Sequence, residues 1–322
     1  MSSGSQACAW HRQVRLGCAS PQPSTRHEKD NKNKTKKPNR KRGGAADGNG
    51  YAWACESVIG STWNTELAYE QGKIVGNESI FLGVNGWYGP SLNIHRNPLS
   101  GRNFEYYSQD GVHGGCMAAA VIKGATDKGV HVYMKHAFLN DQETGRMGTT
   151  TFATEQAIRE IYAKSFEIAV KEGNANGVMS SFNRIGTVWT GGDYRLMTEI
   201  LREEWGFEGL VISDYKTDNA VMNSRQMLYA GNDLILASLD NLLWTDCDFS
   251  SPQDVTILRN SSHNILYVVA NSNSMNVDIV GYNTEWWITT LYVVDAVAVV
   301  ALAVWGVFVI RKNVKKQNAS EE

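Results

Sequence analysis

The sequence has 322 residues, of which 42% are hydrophobic and 20% are charged, and its formal net charge is −2. This length and composition are those of a globular protein with one large core or two modest ones. Five cysteines are scattered without a CxxC pair or other metal-ligand spacing, which argues against a zinc site and a disulfide framework and predicts buried free thiols.

Residues 1–50 differ in composition from the rest of the chain. Residues 1–48 hold eleven Lys or Arg and three Asp or Glu, and they show no helical or strand periodicity, which predicts a basic disordered leader. The segment is either a tail for nucleic acid or anionic lipid, or an unstructured leader or misassigned start of the reading frame. Because no aromatic residues are interleaved with the basic run, we favour the second interpretation and expect no nucleic-acid partner.

Residues 51–276 alternate short apolar runs with longer amphipathic stretches, which predicts a parallel sheet with crossover helices. The predicted helices lie at residues 62–81, 106–124, 152–172, 194–205, 218–230 and 252–270. The predicted strands lie at residues 84–88, 130–134, 178–181, 210–213 and 234–237. These strands are fewer than the eight of a complete barrel, so the opening strands are either unrecognised near residues 51–59 or lost.

Polar residues follow three of the predicted strands: Lys135 with His136, Asn183, and Asp214. In a (β/α)8 barrel, residues that leave the carboxyl ends of the strands face the active site. An open doubly wound sheet also binds ligands there, but it usually carries a glycine-rich phosphate turn, which this sequence lacks. The predicted fold class is therefore α/β, an incomplete (β/α)8 TIM-type barrel followed by one C-terminal transmembrane helix.

Residues 286–310 are almost wholly apolar, and at 1.5 Å per residue they are long enough to cross a hydrocarbon core of about 30 Å. Trp286, Trp287 and Tyr292 lie near one end, and a basic cluster that begins at Arg311 follows the other. This pattern predicts a transmembrane helix in contact with a lipid bilayer. A buried core helix is the alternative, and the length and the basic cluster argue against it.

The basic cluster also predicts the orientation of the chain. Residues 311–322 should form a cytoplasmic tail, because positive charges stay on the cytoplasmic side. Residues 277–285 then form a linker, and residues 51–276 lie outside the cytoplasm. We expect a single-pass protein of the cell membrane.

The polar residues of the barrel segment each have two interpretations. Asp214 is either a carboxylate nucleophile, which a retaining glycosidase holds about 5–5.5 Å from a second carboxyl, or the N-cap of the following helix. Lys135 and His136 are either donors to sugar hydroxyls, a phosphate site, or a surface pair with a structural histidine. Arg102 and Glu105 are either ligands or an ion pair that holds their loop.

Four segments favour one set of interpretations: GVNGWYGPSLNIHRNPLSGRNFEYYSQDG, YMKHAFLNDQETGR, GVMSSFNRIG and EEWGFEGLVISDY. In this order and spacing they resemble the barrel domain of glycoside hydrolase family 3, in its β-glucosidase-like branch. The resemblance runs from about residue 55 to residue 276 and implies a (β/α)8 barrel.

The resemblance also implies roles for residues that match the family's motifs. Asp214 falls on the catalytic nucleophile. The residues implied to bind the substrate are Arg102, Lys135, His136, Met179 and Tyr215. The implied reaction is a double displacement through a covalent glycosyl-enzyme, which releases terminal β-linked glucosyl residues from a β-glucoside or short oligosaccharide and needs no metal or organic cofactor.

The sequence also departs from the family. Phe182 stands where a tyrosine is common, and Tyr215 replaces the usual tryptophan after the nucleophile. The first barrel strand, whose loop supplies a sugar-binding aspartate in the family, would precede residue 51, where the leader stands. Relatives take their acid/base carboxyl from a separate sandwich domain or from a His/Asp pair after a KHFPGHG string, whereas this chain has KHAFLNDQE.

Two hypotheses result. The first is a retaining β-glucosidase-type hydrolase that acts through Asp214. The alternative is a truncated, catalytically incomplete, membrane-anchored sugar-binding remnant that lacks the acid/base domain, because the loss of a general acid typically costs about 10²–10⁴-fold in rate.

Overall fold

The computed structural model of the chain describes residues 53–216, 221–237, 247, 250–275 and 286–318. The chain divides into two compact units, Met1–Met275 and Asn276–Glu322. The predicted leader at residues 1–50 and the predicted linker at residues 277–285 lie outside the described residues.

The first unit contains strands at all five predicted positions, where the predicted run 130–134 is divided into two strands, together with three short strands that were not predicted. In chain order the strands of the described residues are β1 (Gly86–Trp87), β2 (His131–Val132), β3 (Met134–Ala137), β4 (Thr150–Thr151), β5 (Gly177–Ser180), β6 (Arg184–Ile185), β7 (Val188–Trp189), β8 (Leu210–Tyr215) and β9 (Leu234–Leu236).

The five predicted runs form the parallel part of the fold. Strands β3, β5, β8 and β9 lie side by side in one sheet in that order, and β1 pairs with β2. A parallel bridge between Ser91 and Lys135 extends the pairing beyond β1. Neighbouring parallel strands joined by helices are the arrangement of a TIM-barrel-like α/β fold.

The helices of the first unit precede, separate and follow these strands along the chain. They are α1 (Glu56–Ser61), α2 (Thr65–Phe81), α3 (Gly111–Thr126), α4 (Glu155–Ala157), α5 (Lys164–Lys171), α6 (Ser224–Ala230) and α7 (Pro252–Ala270), with π-helical segments at Ile158–Tyr162 and Arg195–Glu204. Short 3₁₀ turns occur at Asn103–Glu105, Thr190–Gly192 and Asn273–Met275.

Side-chain caps explain why three helices begin later than predicted. Asn64, Asp110 and Asn223 each accept hydrogen bonds from backbone N–H groups of the first turn of α2, α3 and α6. Such caps satisfy donors that have no partner within the helix. Before α2, Trp63 adopts a left-handed φ of 51°, so the chain cannot be helical there.

The three short strands β4, β6 and β7 form a separate sheet. β6 and β7 are antiparallel, with Arg184 opposite Trp189, and β4 pairs with β6 in parallel. Gly186 adopts a φ of 58° in the turn between β6 and β7, a conformation that glycine adopts without steric cost. Strands of two residues are too short to show the alternation of polar and apolar residues on which a prediction depends.

Successive residues of the central strands face two different cores. Val178 and Val211 belong to the core between the sheet and its helices. Met179 and Ile212, the next residues of β5 and β8, belong to a second cluster with Tyr133. This alternation is the period of two of a β-strand, and it places the second cluster, which also includes Val268 of the helix at Pro252–Ala270, on the opposite face of the sheet from the first core.

Two cysteines differ from the prediction of free thiols. Cys55 and Cys116 are disulfide-bonded, whereas Cys247 is a half-buried thiol. The prediction was wrong for the first two because the fold, and not the spacing of cysteines along the chain, decides which sulfur atoms come within bonding distance.

The second unit contains one long helix, α8 (Trp286–Asn318). Its segment Thr290–Val309 has a mean hydropathy of 2.3, and none of it is buried. This segment is therefore long and apolar enough to cross a membrane.

Phe166 provides a test of the core between the sheet and the helices. Its ring is fully buried and lies 5.0 Å from the ring of Phe138. We expect Phe166→Ala to lower the free energy of unfolding by about 3–5 kcal/mol, because the substitution leaves a cavity. Urea unfolding of the full chain in detergent measures the change. The matched control is Phe152→Ala, at a position that is 83% exposed, where we expect less than about 0.5 kcal/mol; equal losses would contradict the assignment of the core.

Candidate active site

Four of the predicted site residues lie on adjacent strands. Asp214 lies near the end of β8, Met179 in β5, and Lys135 and His136 in β3. Lys135 is in register with Met179, which is in turn in register with Ile212 of β8. The sheet therefore brings these residues to one edge. Their positions at strand ends predicted this for Lys135, His136 and Asp214, whereas Met179 was named from the family resemblance alone.

A bulge in β3 explains how two consecutive residues, Lys135 and His136, both lie at the candidate site. Lys135 pairs with Met179 and Ala137 pairs with Ser180, so His136 is the extra residue of the bulge. Consecutive residues of a regular strand face opposite sides, whereas a bulge turns a side chain in a new direction. The Nε2 atom of His136 lies 3.7 Å from Oδ2 of Asp214.

Asn93 holds the backbone of the bulge in place. Its Oδ1 atom accepts a hydrogen bond of 2.9 Å from the N–H of His136, and its Nδ2 atom donates a bond of 3.1 Å to the carbonyl of His136. Both residues are buried. One asparagine thus satisfies the backbone groups that leave the strand ladder at this point.

Asp214 is buried, with 8% of the residue exposed. Its Oδ1 atom accepts a hydrogen bond of 2.7 Å from the N–H of Tyr215, and its Oδ2 atom accepts none within the described residues. Burial raises the pKa of Asp214, while the hydrogen bond from Tyr215 and the nearby positive charge of Arg146 partly oppose the rise. Asp214 is not the cap of α6, which begins after Asn223.

Two cations of the site share one carboxylate. Glu105 Oε1 lies 2.5 Å from Nε of Arg102, and Glu105 Oε2 lies 3.2 Å from Nζ of Lys135. Ser91 donates a further hydrogen bond of 2.9 Å to Oε2. Burial would raise the pKa of Glu105, but the charge of Lys135 and the hydrogen bond from Arg102 lower it to about 2. The predicted ion pair of Arg102 and Glu105 is present, and it includes Lys135.

Arg146 and Glu143 belong to the same network but were not predicted. Arg146 Nη1 lies 2.7 Å from Oε2 of Glu143, whose Oε1 lies 3.5 Å from Nη1 of Arg102. The guanidinium of Arg146 also lies 4.4 Å from the centre of the Phe182 ring, a cation–π distance. The signal was available, since both charged residues lie in the segment YMKHAFLNDQETGR that carries part of the family resemblance.

The remaining two predicted residues differ in exposure. Met179 is buried in the cluster with Tyr133 and Ile212, beside Lys135 in the sheet. Tyr215 is 47% exposed at the end of β8, so its ring is accessible to a ligand. The roles of all six predicted residues stay predictions, because the structure shows which residues lie close together and does not show what reaction they perform.

The arrangement supplies a buried carboxylate beside a histidine and three cations. A carboxylate oxygen without a hydrogen-bond donor can act as a nucleophile, and neighbouring cations can bind hydroxyl groups. In the part of the chain that the structure describes, no three His, Cys, Asp or Glu side chains are grouped to hold a metal ion.

Comparisons with known proteins agree on one family. Residues 49–250 match the model of the glycosyl hydrolase family 3 N terminal domain. The chain is 42% identical over 164 residues to "Beta-glucosidase A" of Butyrivibrio fibrisolvens, which is 51% of the chain and 20% of that relative. It is 36% identical over 233 residues to "Beta-glucosidase" of Ruminococcus albus, which is 68% of the chain and 24% of that relative.

A solved structure is similar as well. β-Glucosidase 3B from Thermotoga neapolitana in complex with glucose is 40% identical, with a TM-score of 0.65 over 74% of this chain and 34% of that chain. The chain thus spans between a fifth and about a third of the length of these relatives.

Asp141, in the loop after β3, gives a test of how the stability of the folded chain depends on pH. Its buried Oδ1 atom accepts a hydrogen bond of 2.8 Å from Ile94 N–H. Burial raises the pKa of Asp141 to about 7 against the opposing effects of that bond and of Arg96. Above the ordinary carboxyl pKa of about 4 the unfolded chain loses this proton while the folded chain keeps it. The folded state therefore loses stability between about pH 4 and pH 7, and the cost is complete above pH 7.

We expect Asp141→Asn to remove this cost, because the amide oxygen still accepts the Ile94 hydrogen bond. The variant should be more stable than the unchanged protein at pH 8, by up to about 4 kcal/mol, and the difference should vanish near pH 4. Urea midpoints across this pH range measure it, with Asp127→Asn, at an exposed carboxyl, as the control. A constant difference between pH 4 and pH 8 would contradict the prediction.

Proposed function

The chain belongs to glycosyl hydrolase family 3, and on this premise we propose that it hydrolyses terminal β-linked glucosyl residues with Asp214 as the nucleophile. One observation carries the proposal. The Oδ2 atom of Asp214 is buried at the carboxyl end of a parallel strand, accepts no hydrogen bond within the described residues, and lies next to His136 and near three cations.

The proposed reaction has two displacements. Asp214 Oδ2 attacks the anomeric carbon, an ester bond forms, and the bond to the leaving oxygen breaks as that oxygen takes a proton from solvent. Water then attacks the same carbon, the ester bond breaks to release the Asp214 carboxylate, and the attacking water gives one proton back to solvent. The hydrogen bond from Tyr215 N–H to Oδ1 supports this role, because it holds the carboxylate plane in position for the attack.

The cations are proposed to serve both the sugar and the nucleophile. Arg102, Lys135 and His136 would donate hydrogen bonds to sugar hydroxyls, and Arg146 would help to keep Asp214 ionised. Glu105 is a positioning residue in this proposal. With a pKa of about 2 it carries no proton to donate at neutral pH, so it does not serve as the general acid.

Covalent trapping tests the nucleophile. We expect 2,4-dinitrophenyl 2-deoxy-2-fluoro-β-glucoside to label the full chain once, on Asp214, because the fluorine slows both displacements while the dinitrophenolate leaving group keeps the first one fast. Mass spectrometry of the digested protein locates the label. Asp214→Asn should remove it, whereas Asp254→Asn, which alters another buried carboxyl, should not.

Turnover of an unfluorinated dinitrophenyl β-glucoside completes this test, because its leaving group departs without protonation. We expect Asp214→Asn to lower the rate by at least about 10²-fold. A label on another carboxyl would overturn the assignment of Asp214. Binding of glucose without label or turnover would instead support a sugar-binding protein.

We also propose that α8 crosses a membrane and that the barrel segment lies outside the cytoplasm. The apolar segment Thr290–Val309 and the exposed Arg311 that follows it support the span and its orientation. The disulfide-bonded Cys55 and Cys116 support an oxidising compartment for the barrel segment.

Alkaline carbonate extraction tests the membrane proposal. We expect the full chain to stay with the membrane pellet, and a double variant, Val300→Arg with Val304→Arg, to be released, because each arginine near the centre of a span costs about 2.5–3.5 kcal/mol. Leu99→Arg, at a position that is 88% exposed in the barrel segment, is the matched control and should stay in the pellet. Release of the unchanged chain would contradict the proposal.

A further inference from the structure

A cavity lies at the end of the sheet opposite to Asp214. It has a volume of about 300 Å³, and its wall includes Asn176 directly before β5 and Gly209 directly before β8. Asp214 lies at the other end of β8, roughly 15 Å away along the strand. The cavity therefore shares no residue with the site around Asp214.

One rim of the cavity is held rigidly. Arg202 donates a hydrogen bond of 2.9 Å to the carbonyl of Gly209, forms an ion pair of 2.8 Å with Asp233, and lies 5.5 Å from the centre of the Phe207 ring. A Cβ atom on Gly209 would lie 2.2 Å from the carbonyl oxygen of Asn176, so only glycine permits this close approach. The loop is thus fixed before any ligand binds.

The wall combines two aromatic rings, those of Phe207 and Tyr267, with a hydroxyl group, carboxylates and amides. The polar side chains are Thr126, Asp127, Asn174, Asn176, Glu208, Tyr267 and Asn271. The hydroxyl of Tyr267 donates a hydrogen bond of 3.1 Å to Glu208, which fixes the ring. The Oδ1 atom of Asn176 accepts from Val132 N–H, and the Nδ2 atom of Asn271 donates to the Tyr267 carbonyl. The amides of Asn176 and Asn271 therefore each keep one polar group for a ligand.

The chemistry of the wall selects a class of ligand. Two carboxylates and no Lys or Arg line the described wall, which disfavours a phosphate or other anion. A divalent cation usually takes several carboxylate or carbonyl ligands, and no group of three acidic or other metal-binding side chains occurs there or elsewhere in the described ranges. Acceptors, amide donors and an exposed ring together match a neutral molecule with many hydroxyl groups.

We infer that this cavity is a second carbohydrate site, which binds one neutral sugar unit away from the reaction centre. Its volume is at the lower end of ligand pockets, which fits a monosaccharide or the end of a short chain. The inference goes beyond the proposed hydrolysis and does not depend on it, because binding at this cavity requires no chemistry at Asp214.

Sugar binding to the full chain tests the inference. The protein carries Asp214→Asn, so that the probe is not consumed, and is held in dodecylphosphocholine, which has no sugar headgroup. Titration with cellobiose, followed by calorimetry and by saturation transfer to the sugar protons, should give two sites. We expect Tyr267→Ala and, independently, Glu208→Gln to weaken one site by about tenfold or more. Tyr194→Ala, which removes an exposed tyrosine elsewhere, should leave both sites unchanged.

The outcomes separate this inference from the proposed function. Cellobiose binding that is unchanged in both cavity variants, the absence of any cellobiose binding, or displacement of the sugar by Ca²⁺ would each overturn the inference. Turnover of an aryl β-glucoside by chains that retain Asp214 reports on the proposed function alone, and Tyr267→Ala should leave it unchanged.

Discussion

The structure around the candidate site depends on one constraint, the burial of the Asp214 carboxylate at the end of an apolar strand. Removal from water favours the neutral acid and raises the pKa of this group. Three neighbouring cations act in the opposite direction and favour the anion. Because these cations are themselves largely removed from water, they need anions of their own, which Glu105 and Glu143 supply. The buried charge of Asp214 is thus linked to a network of ion pairs, because a buried cation without an anion beside it would cost free energy.

The backbone delivers these groups by two local departures from regular structure. The bulge at His136 lets neighbouring residues of β3 act on the same side of the sheet, and the tip of β8 has a second irregularity in its pairing with β9, between Ile212 and Tyr215. Beneath them the strands alternate regularly between the two cores. The regular part of the sheet fixes the spacing of the site, and the irregular ends aim its side chains.

The sequence predicted the five parallel runs and the residues at their ends, because buried strands and strand-end polar groups leave local patterns. It predicted α7 at its observed limits, since Pro252 opens that helix and proline favours a first turn. The sheet of β4, β6 and β7, the bulge, and the disulfide-bonded cysteines leave no such pattern. Arg146 was missed although it lies in a segment that carries the family resemblance, because no local pattern shows that it contacts Glu143 and the Phe182 ring.

The ion-pair network also bears on how long a covalent intermediate would persist. The three cations and three carboxylates of the site cancel in the resting protein. An ester at Asp214 would remove one negative charge and leave an excess positive charge in a region with little water, where such an imbalance is costly. Release of the sugar restores the neutral balance. The ion pairs around the resting carboxylate would therefore raise the free energy of the covalent intermediate and favour its hydrolysis.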